Sequence, residues 1–313
     1  MIAFKDPNLE DLQITIQAVE SLADFGEQVL SQQWLTHWES QQLNRTDPND
    51  RDLFMASLLL ISHTNEMTRA IAYVLGYGLG KAGFGLLGPA YSLLRSQLEC
   101  YWNLSYMIKD SALRQRSCII YMVAYSNLLY RRQVKNLSLA ATEAERQLQV
   151  LDAQLASSLP SPHYDQAKQD YQAAQTEMSR KYPIYPEWYQ VYKVADAKGN
   201  MIRPTIYHLA LAADHQHIYN DEYSYWSAVS HGQAPYFGVT LPSGPPGYLI
   251  MGADILEARL IAIYAASRAY TTYRLLIDNL LGSKRSREFN QYLTTVQFDR
   301  EQSLAQFLLS SQK

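Results

Sequence analysis

Apolar residues recur along most of this chain at the three- and four-residue spacing that places them on one face of an α-helix. The first such stretch opens at Pro7 and continues towards Leu43. Its apolar face consists of Leu12, Ile16, Val19, Leu22, Phe25 and Val29. Alternating apolar and polar runs bounded by turn residues, which predict strands, are almost absent. The pattern therefore predicts an all-α fold, a bundle of many helices.

Helix caps and helix breakers divide the rest of the chain. They predict helices over residues 52–75, 90–108, 111–132, 204–211, 221–230, 254–281 and 286–309. The stretch 136–181 is rich in Ala, Gln and Glu and is split by prolines, which predicts a polar helical hairpin that projects as an arm. We expect an N-terminal helical segment over 1–48, a bundle core over 49–282 and a C-terminal helix over 283–313.

The stretch from Gly76 to Ala90 contains a G-x-G-x-x-G match at Gly78, Gly80 and Gly83. A dinucleotide fingerprint needs a strand before the glycines and a helix directly after them, whereas a predicted helix leads into this stretch. A phosphate-binding loop also needs a hydroxyl residue after its lysine, and this chain has an alanine there. We therefore predict a hinge between two helices, because glycine permits backbone angles that other residues resist.

The composition narrows the class of protein. With 313 residues, of which 47% are hydrophobic, the chain can bury a large core. A net charge of −3 disfavours non-specific attraction to nucleic acid or to an anionic membrane. Cys100 and Cys118 lie in apolar helical stretches, which is typical of buried thiols in a reducing compartment. Because no signal peptide and no unbroken run of about 18 apolar residues is found, we expect a cytoplasmic protein outside the membrane.

The helix predicted over 90–108 carries a charged pair on an otherwise apolar surface. Arg95 and Glu99 stand one turn apart on one face, while Leu94, Leu98 and Trp102 lie on another. Such a pair is either an internal salt bridge or part of a cleft that binds something. The sequence leaves both interpretations open.

A second candidate lies on the helix predicted over 221–230. Tyr223, Ser227 and His231 recur every four residues, so that two hydroxyls and an imidazole share one stripe. Histidine titrates near neutral pH, and a hydroxyl one turn away can orient it. The alternative is that His231, followed by Gly232, only ends the helix. Both interpretations stay open.

Two other clusters are weaker candidates. In the stretch ADHQH, His215 and His217 would point to opposite sides of a helix, so we predict no metal site and no cofactor. A proline-interrupted loop carries a group of aromatic residues, namely Tyr182, Tyr185, Trp188, Tyr189 and Tyr192. These rings could stack a base or another flat ligand. We favour packing of the loop onto its own domain or onto a second subunit.

The segments LLRSQLECYWNL and YNDEYSYWSAVSHG together resemble an uncharacterised family of bacterial helical proteins, with an Arg-x3-Glu helix and a Tyr-rich helix ending in Ser and His. The shared positions are Arg95, Glu99, Tyr223, Ser227, Ser230 and His231. More distantly, the chain is similar to HEPN domains, whose nuclease members cleave RNA without metal through an Arg-x4-6-His motif, usually at a dimer interface. The segment RPTIYH, from Arg203 to His208, has that spacing.

Two hypotheses follow. The first is a homo-oligomeric binding module whose Arg/Glu/His cleft recognises a ligand or a protein partner. The alternative, implied by the HEPN resemblance, is a metal-independent ribonuclease of a defence or toxin system, with RNA as its partner and with histidine as acid and base. The candidate catalytic residues are His231, Arg95 and Glu99, and the candidate binding residues are Tyr223, Ser227, Arg203 and His208.

Overall fold

The structure is a computed structural model that describes part of the chain. It describes residues 7–29, 48–80, 87–109, 117–125, 164–179, 184–196, 198–230 and 251–281, with single positions at 128, 143, 146, 149, 150, 153, 287 and 291. The statements below concern these residues.

Helices dominate the described part, and the predicted all-α, multi-helix fold is confirmed. The helices are α1 Pro7–Val29, α2 Pro48–Gly80, α3 Leu87–Lys109, α4 Tyr164–Met178, α5 Ile206–Ala212, α6 Gln216–Ile218, α7 Ser224–Ser230 and α8 Met251–Leu276. Residues 117–125 are also helical. Five-residue π-helical turns, Tyr219–Tyr223 and Ile277–Leu281, join α6 to α7 and extend α8. No described helix is both long and apolar enough to cross a membrane.

The predicted loop over 182–200 contains short regular elements that the sequence pattern did not predict. A 3-10 turn covers Trp188–Gln190, and β1 Val194–Ala195 pairs antiparallel with β2 Met201–Ile202. The connecting turn is held by Asp196, whose carboxylate accepts backbone hydrogen bonds from residues 198 and 200, and Gly199 supplies a φ of 81°. Strands of two residues are too short to show an alternating pattern, and for this reason the sequence analysis missed them.

The glycine-rich stretch is more helical than predicted. Helix α2 continues through Gly80, so the helix end predicted at Leu75 was wrong by five residues. Gly78 and Gly80 lie in its last turn, because a glycine in a helix costs only about 1 kcal/mol and does not by itself end it. Helix α3 begins at Leu87, three residues before the predicted start. Residues 81–86, the centre of the predicted hinge, lie outside the described residues.

The backbone divides into two compact units. The first comprises residues 1–41, 59–104 and 215–313, and the second comprises 42–58 and 105–214. The predicted division at residues 48 and 282 stays a prediction, since both boundaries adjoin segments outside the described residues.

In the first unit, α1 packs against α8. Of the apolar face predicted for α1, five residues are buried: Leu12, Ile16, Val19, Leu22 and Phe25. The side chain of Val29, the sixth, lies outside the described part of the structure. Helix α8 buries many small residues, among them Ala262, Ala266 and Ala269. Small side chains let helices approach closely, and at Gly26 of α1 the approach leaves no space for a side chain. The first unit therefore has a tightly packed core.

In the second unit, α4 confirms the second helix of the predicted polar hairpin. It buries one face, made of Tyr164, Ala167, Tyr171 and Ala174. The first helix of that hairpin lies almost entirely outside the described residues. Trp188 is buried and meets the rings of Tyr106, Tyr121 and Tyr189 edge to face, at centroid distances of 5.7 to 6.3 Å. These contacts are those of a loop packed onto its own unit, whereas an interface with a second subunit stays a prediction.

Candidate functional site

Three polar side chains of the first unit meet in a closed triangle of hydrogen bonds. The Nε–H of Arg95 donates to Oε1 of Glu99 at 2.9 Å and to the hydroxyl oxygen of Tyr223 at 3.2 Å. The hydroxyl of Tyr223 donates in turn to the same Oε1 at 2.6 Å. The carbon of the guanidinium group lies 5.2 Å from the centre of the Tyr223 ring, a cation–π distance. We call these three residues the Arg95 triad.

Helix α3 brings two members of the triad together by its periodicity. Arg95 and Glu99 are four residues apart, so they face the same side of the helix. Leu94 and Leu98 are fully buried and anchor α3 in the core, and Trp102, two turns after Arg95, is fully buried as well. The charged side chains keep 27% and 31% of their surface exposed. The residues form a salt bridge that solvent reaches, and a binding role for them stays a prediction.

The third member of the triad, Tyr223, lies 124 residues after Glu99 in the chain. It is the last residue of the π-helical turn, whose hydrogen bonds span five residues instead of four. Within this turn the rings of Tyr219 and Tyr223 stack at 5.1 Å, and Trp102 lies 5.1 Å from Tyr223. Single π-helical turns inside α-helices often mark functional sites. The turn and the aromatic contacts together hold the Tyr223 hydroxyl against Glu99.

The electrostatics of the triad favour one protonation state. Burial lowers the pKa of Arg95, but the charge of Glu99 and the hydrogen bonds outweigh it and raise the pKa. Burial, with the negative charge of Glu99, raises the pKa of Tyr223 despite the nearby guanidinium. Both residues therefore keep their protons far above neutral pH. The same two causes, burial first, raise the pKa of the Cys100 thiol to about 12.

Behind the triad, the Nε1–H of Trp102 donates to Nδ1 of His215 at 3.0 Å, and the ring of Tyr101 stacks on that imidazole at 5.1 Å. In the stretch ADHQH, only Gln216 and His217 are helical. Asp214 has a φ of 59°, and His215 precedes the first residue of α6. Nothing in the sequence pattern indicated the bond between Trp102 and His215. Among the described residues, no group of three or more His, Cys, Asp or Glu side chains is placed to hold a metal ion.

Two further residues of the predicted site, Ser227 and His231, lie within and directly after the described helix α7. Ser227 lies partly exposed on α7, one turn after Tyr223. His231 lies outside the described residues, so its convergence with Arg95 and Glu99 stays a prediction.

The Arg-x4-His segment belongs to the second unit, where both residues have local partners. Arg203 donates to the backbone oxygens of Gln190 and Val191 and pairs with Glu177. His208 accepts at Nδ1 from the backbone N–H of Thr205, at 3.1 Å, in a capping box at the start of α5. These contacts hold a loop and a helix end, and a binding role for either residue stays a prediction.

Comparison with known proteins gives one match. The model of a family of unknown function, DUF5677, matches residues 54–237, more than half of the chain. No curated protein matches, and no solved structure matches. The resemblance to an uncharacterised family, predicted from two short helical motifs, is thereby confirmed.

Proposed function

Since the chain belongs to the DUF5677 family, whose function is unknown, we propose a function from the geometry of the site: the first unit binds a ligand or a partner side chain at the Arg95 triad. One observation carries the proposal. Three polar groups from distant parts of the chain are locked in a single arrangement, yet about a third of each charged side chain stays exposed.

Fold stability is a poor explanation of this arrangement. A partly exposed ion pair contributes little to folding, typically less than about 1 kcal/mol. A binding site, in contrast, gains affinity when its polar groups are already fixed, because less side-chain entropy is lost when the ligand binds. The hydrogen bonds to one oxygen of Glu99 and the packing of Tyr223 against Trp102 provide that fixation.

Binding also fits the triad better than acid–base chemistry does. General acid and base catalysts work best when their pKa lies near the working pH. The pKa values of Arg95 and Tyr223 are raised from ordinary values that already lie far above neutrality. Neither residue is therefore suited to transfer a proton near pH 7, and His231 stays the predicted acid and base.

The experiment is a thermal-shift screen of the full chain against amines, guanidinium compounds, nucleosides, carboxylates and phosphates. A ligand at a hundred times its Kd stabilises the folded state by about 2.7 kcal/mol, which is readily measured. We expect a class of compound whose stabilising effect is lost in Glu99→Gln and in Tyr223→Phe. The stabilising effect should persist in the control variant Glu27→Gln. This variant also removes a carboxylate paired with an arginine, since Glu27 lies 2.6 Å from Arg69. If no class depends on Glu99 or Tyr223, the binding proposal fails.

The ribonuclease interpretation is a second outcome of the same work. Purified protein is incubated with total RNA in EDTA, next to Arg95→Ala and His231→Ala. Cleavage that disappears in these variants would replace the binding proposal.

Homo-oligomerisation and a cytoplasmic location belong to the proposal as well. Light scattering coupled to size-exclusion chromatography tests the first, and cell fractionation tests the second.

A further inference from the structure

The chemistry of the ligand can be narrowed from the hydrogen bonds that the triad already makes. Oε1 of Glu99 accepts from both Arg95 and Tyr223. Oε2 makes no hydrogen bond to any residue that the structure describes, and the side chain is 31% exposed. A carboxylate oxygen only accepts hydrogen bonds. The group presented to a ligand is therefore an acceptor with a fixed position.

The neighbouring position on α3 presents an acceptor too. The hydroxyl of Ser96 donates to the backbone oxygen of Ser92 at 3.0 Å, so its hydrogen is occupied while its oxygen can still accept. Ser96 and Glu99 are three residues apart and share one side of the helix. This side of α3 therefore suits a ligand that donates more than one hydrogen bond.

The charges close to the site point in the same direction. The positive charge of Arg95 is balanced by Glu99 at 2.9 Å and by the ring of Tyr223. Glu66 adds negative charge, because its field helps to raise the pKa of the thiol of Cys100, next to Glu99 in the chain. The π-helical turn adds Asp221 shortly before Tyr223, whereas the charge of Glu222 is balanced by Arg268 at 3.9 Å. A ligand of positive charge is therefore favoured over an anion.

We propose that the group recognised at the Arg95 triad is an amine or a guanidinium, which donates hydrogen bonds to Oε2 of Glu99 and to the hydroxyl oxygen of Ser96. This inference rests on the proposed binding function and specifies its ligand class. An exposed arginine is usually expected to bind phosphate or carboxylate, whereas the ligand proposed here is a cation. The source is either a free polyamine-like compound or the side chain of a peptide.

The test is isothermal titration calorimetry of the full chain with agmatine, with an N-acetylated, C-amidated Gly-Arg-Gly peptide and with inorganic phosphate. A charge-assisted hydrogen bond is worth enough that Glu99→Gln should weaken agmatine binding at least about tenfold. Glu27→Gln is the matched control and should leave the affinity unchanged. Ser96→Ala, which keeps Glu99, should weaken binding by less than Glu99→Gln does. A peptide that binds more tightly than agmatine identifies a partner side chain as the source, and the reverse order identifies a free amine.

Arg95→Gln separates a cation site from an anion site. Without the positive charge of Arg95, electrostatic repulsion of the agmatine cation decreases, so its affinity should not fall for that reason. The affinity for the phosphate anion would fall, because an attractive charge is lost. The inference is overturned if wild-type protein does not bind agmatine or the peptide, or if Glu99→Gln binds them equally well. It is also overturned if phosphate binds and is lost in Arg95→Gln, although the proposed binding function would then stand. The binding function itself fails when no class of compound depends on the triad.

Discussion

A methyl group added at Gly26 tests the close approach that organises the first unit. An added Cβ at this position of α1 would lie 2.4 Å from Oδ1 of Asn65 and 2.4 Å from the hydroxyl oxygen of Tyr273. It would also lie 2.8 Å from Cζ of the Tyr273 ring. Tyr273 is fully buried on α8, and its hydroxyl donates to Asn65 at 3.0 Å. In Gly26→Ala one of these groups must move, and the buried hydrogen bond is the first contact to be lost.

The size of the effect follows from three contributions. Overpacking a core costs about 1 to 3 kcal/mol, and leaving a buried polar group without its partner costs a similar amount. In the opposite direction, alanine in place of glycine inside a helix stabilises the folded state by about 1 kcal/mol. We therefore expect Gly26→Ala to lower the free energy of unfolding by about 3 kcal/mol.

The measurement is urea unfolding of the full chain followed by far-ultraviolet circular dichroism. Gly76→Ala is the matched control, because Gly76 is also inside a helix but its added Cβ meets nothing within 4 Å beyond its chain neighbours and the nearby backbone of its own helix. That variant should gain up to about 1 kcal/mol from helix propensity alone. Tyr273→Phe removes one of the two closest atoms, so the cost of Gly26→Ala should shrink in that background. Equal stability of Gly26→Ala and Gly76→Ala would refute the reasoning.

Three further predictions concern the triad and its surroundings. Trp102→Phe loses the part-buried hydrogen bond to His215 and packing volume in the core, and should destabilise the chain by about 2 kcal/mol in the same urea assay. Because the pKa of Tyr223 is raised in the folded state, its contribution to stability is complete below the ordinary tyrosine pKa, about 10, and declines as pH rises above it. Tyr223→Phe should therefore flatten the alkaline decline of the midpoint of urea unfolding, and an unchanged slope contradicts the assignment. With a pKa of about 12, the thiol of Cys100 should react with iodoacetamide at pH 8 at least about a hundredfold more slowly than free cysteine, as mass spectrometry of the labelled peptide would show.

The helices and their buried faces were predictable because they depend on neighbours in the chain. The apolar spacing in α1 identified six core residues, and the structure buries the five whose side chains it describes, Leu12, Ile16, Val19, Leu22 and Phe25. The pairing of Arg95 with Glu99 followed from a four-residue spacing on one helix. Helix ends were predicted less well, as α2 shows, because glycine lowers helix stability by an amount that packing can offset.

Contacts between distant segments of the chain could not be predicted from the sequence. The sequence selected Tyr223 as a site residue but could not show that its hydroxyl meets Glu99, 124 residues earlier. It also gave no sign of the contact between Trp102 and His215, or of the π-helical turn that places Tyr223. Such contacts depend on how helices pack and rotate against one another, and periodicity within one helix carries no information about that.

By itself, the sequence determined that this protein is all-α, which face of α1 is buried, and that Arg95 and Glu99 share one side of a helix. Only the tertiary structure decided that the pair stays open to solvent, that Tyr223 completes it, and that one carboxylate oxygen is left without a hydrogen bond to the described residues. The physical reason is the range of the forces involved: helix formation is settled within one or two turns, whereas a site is assembled by packing across the whole unit.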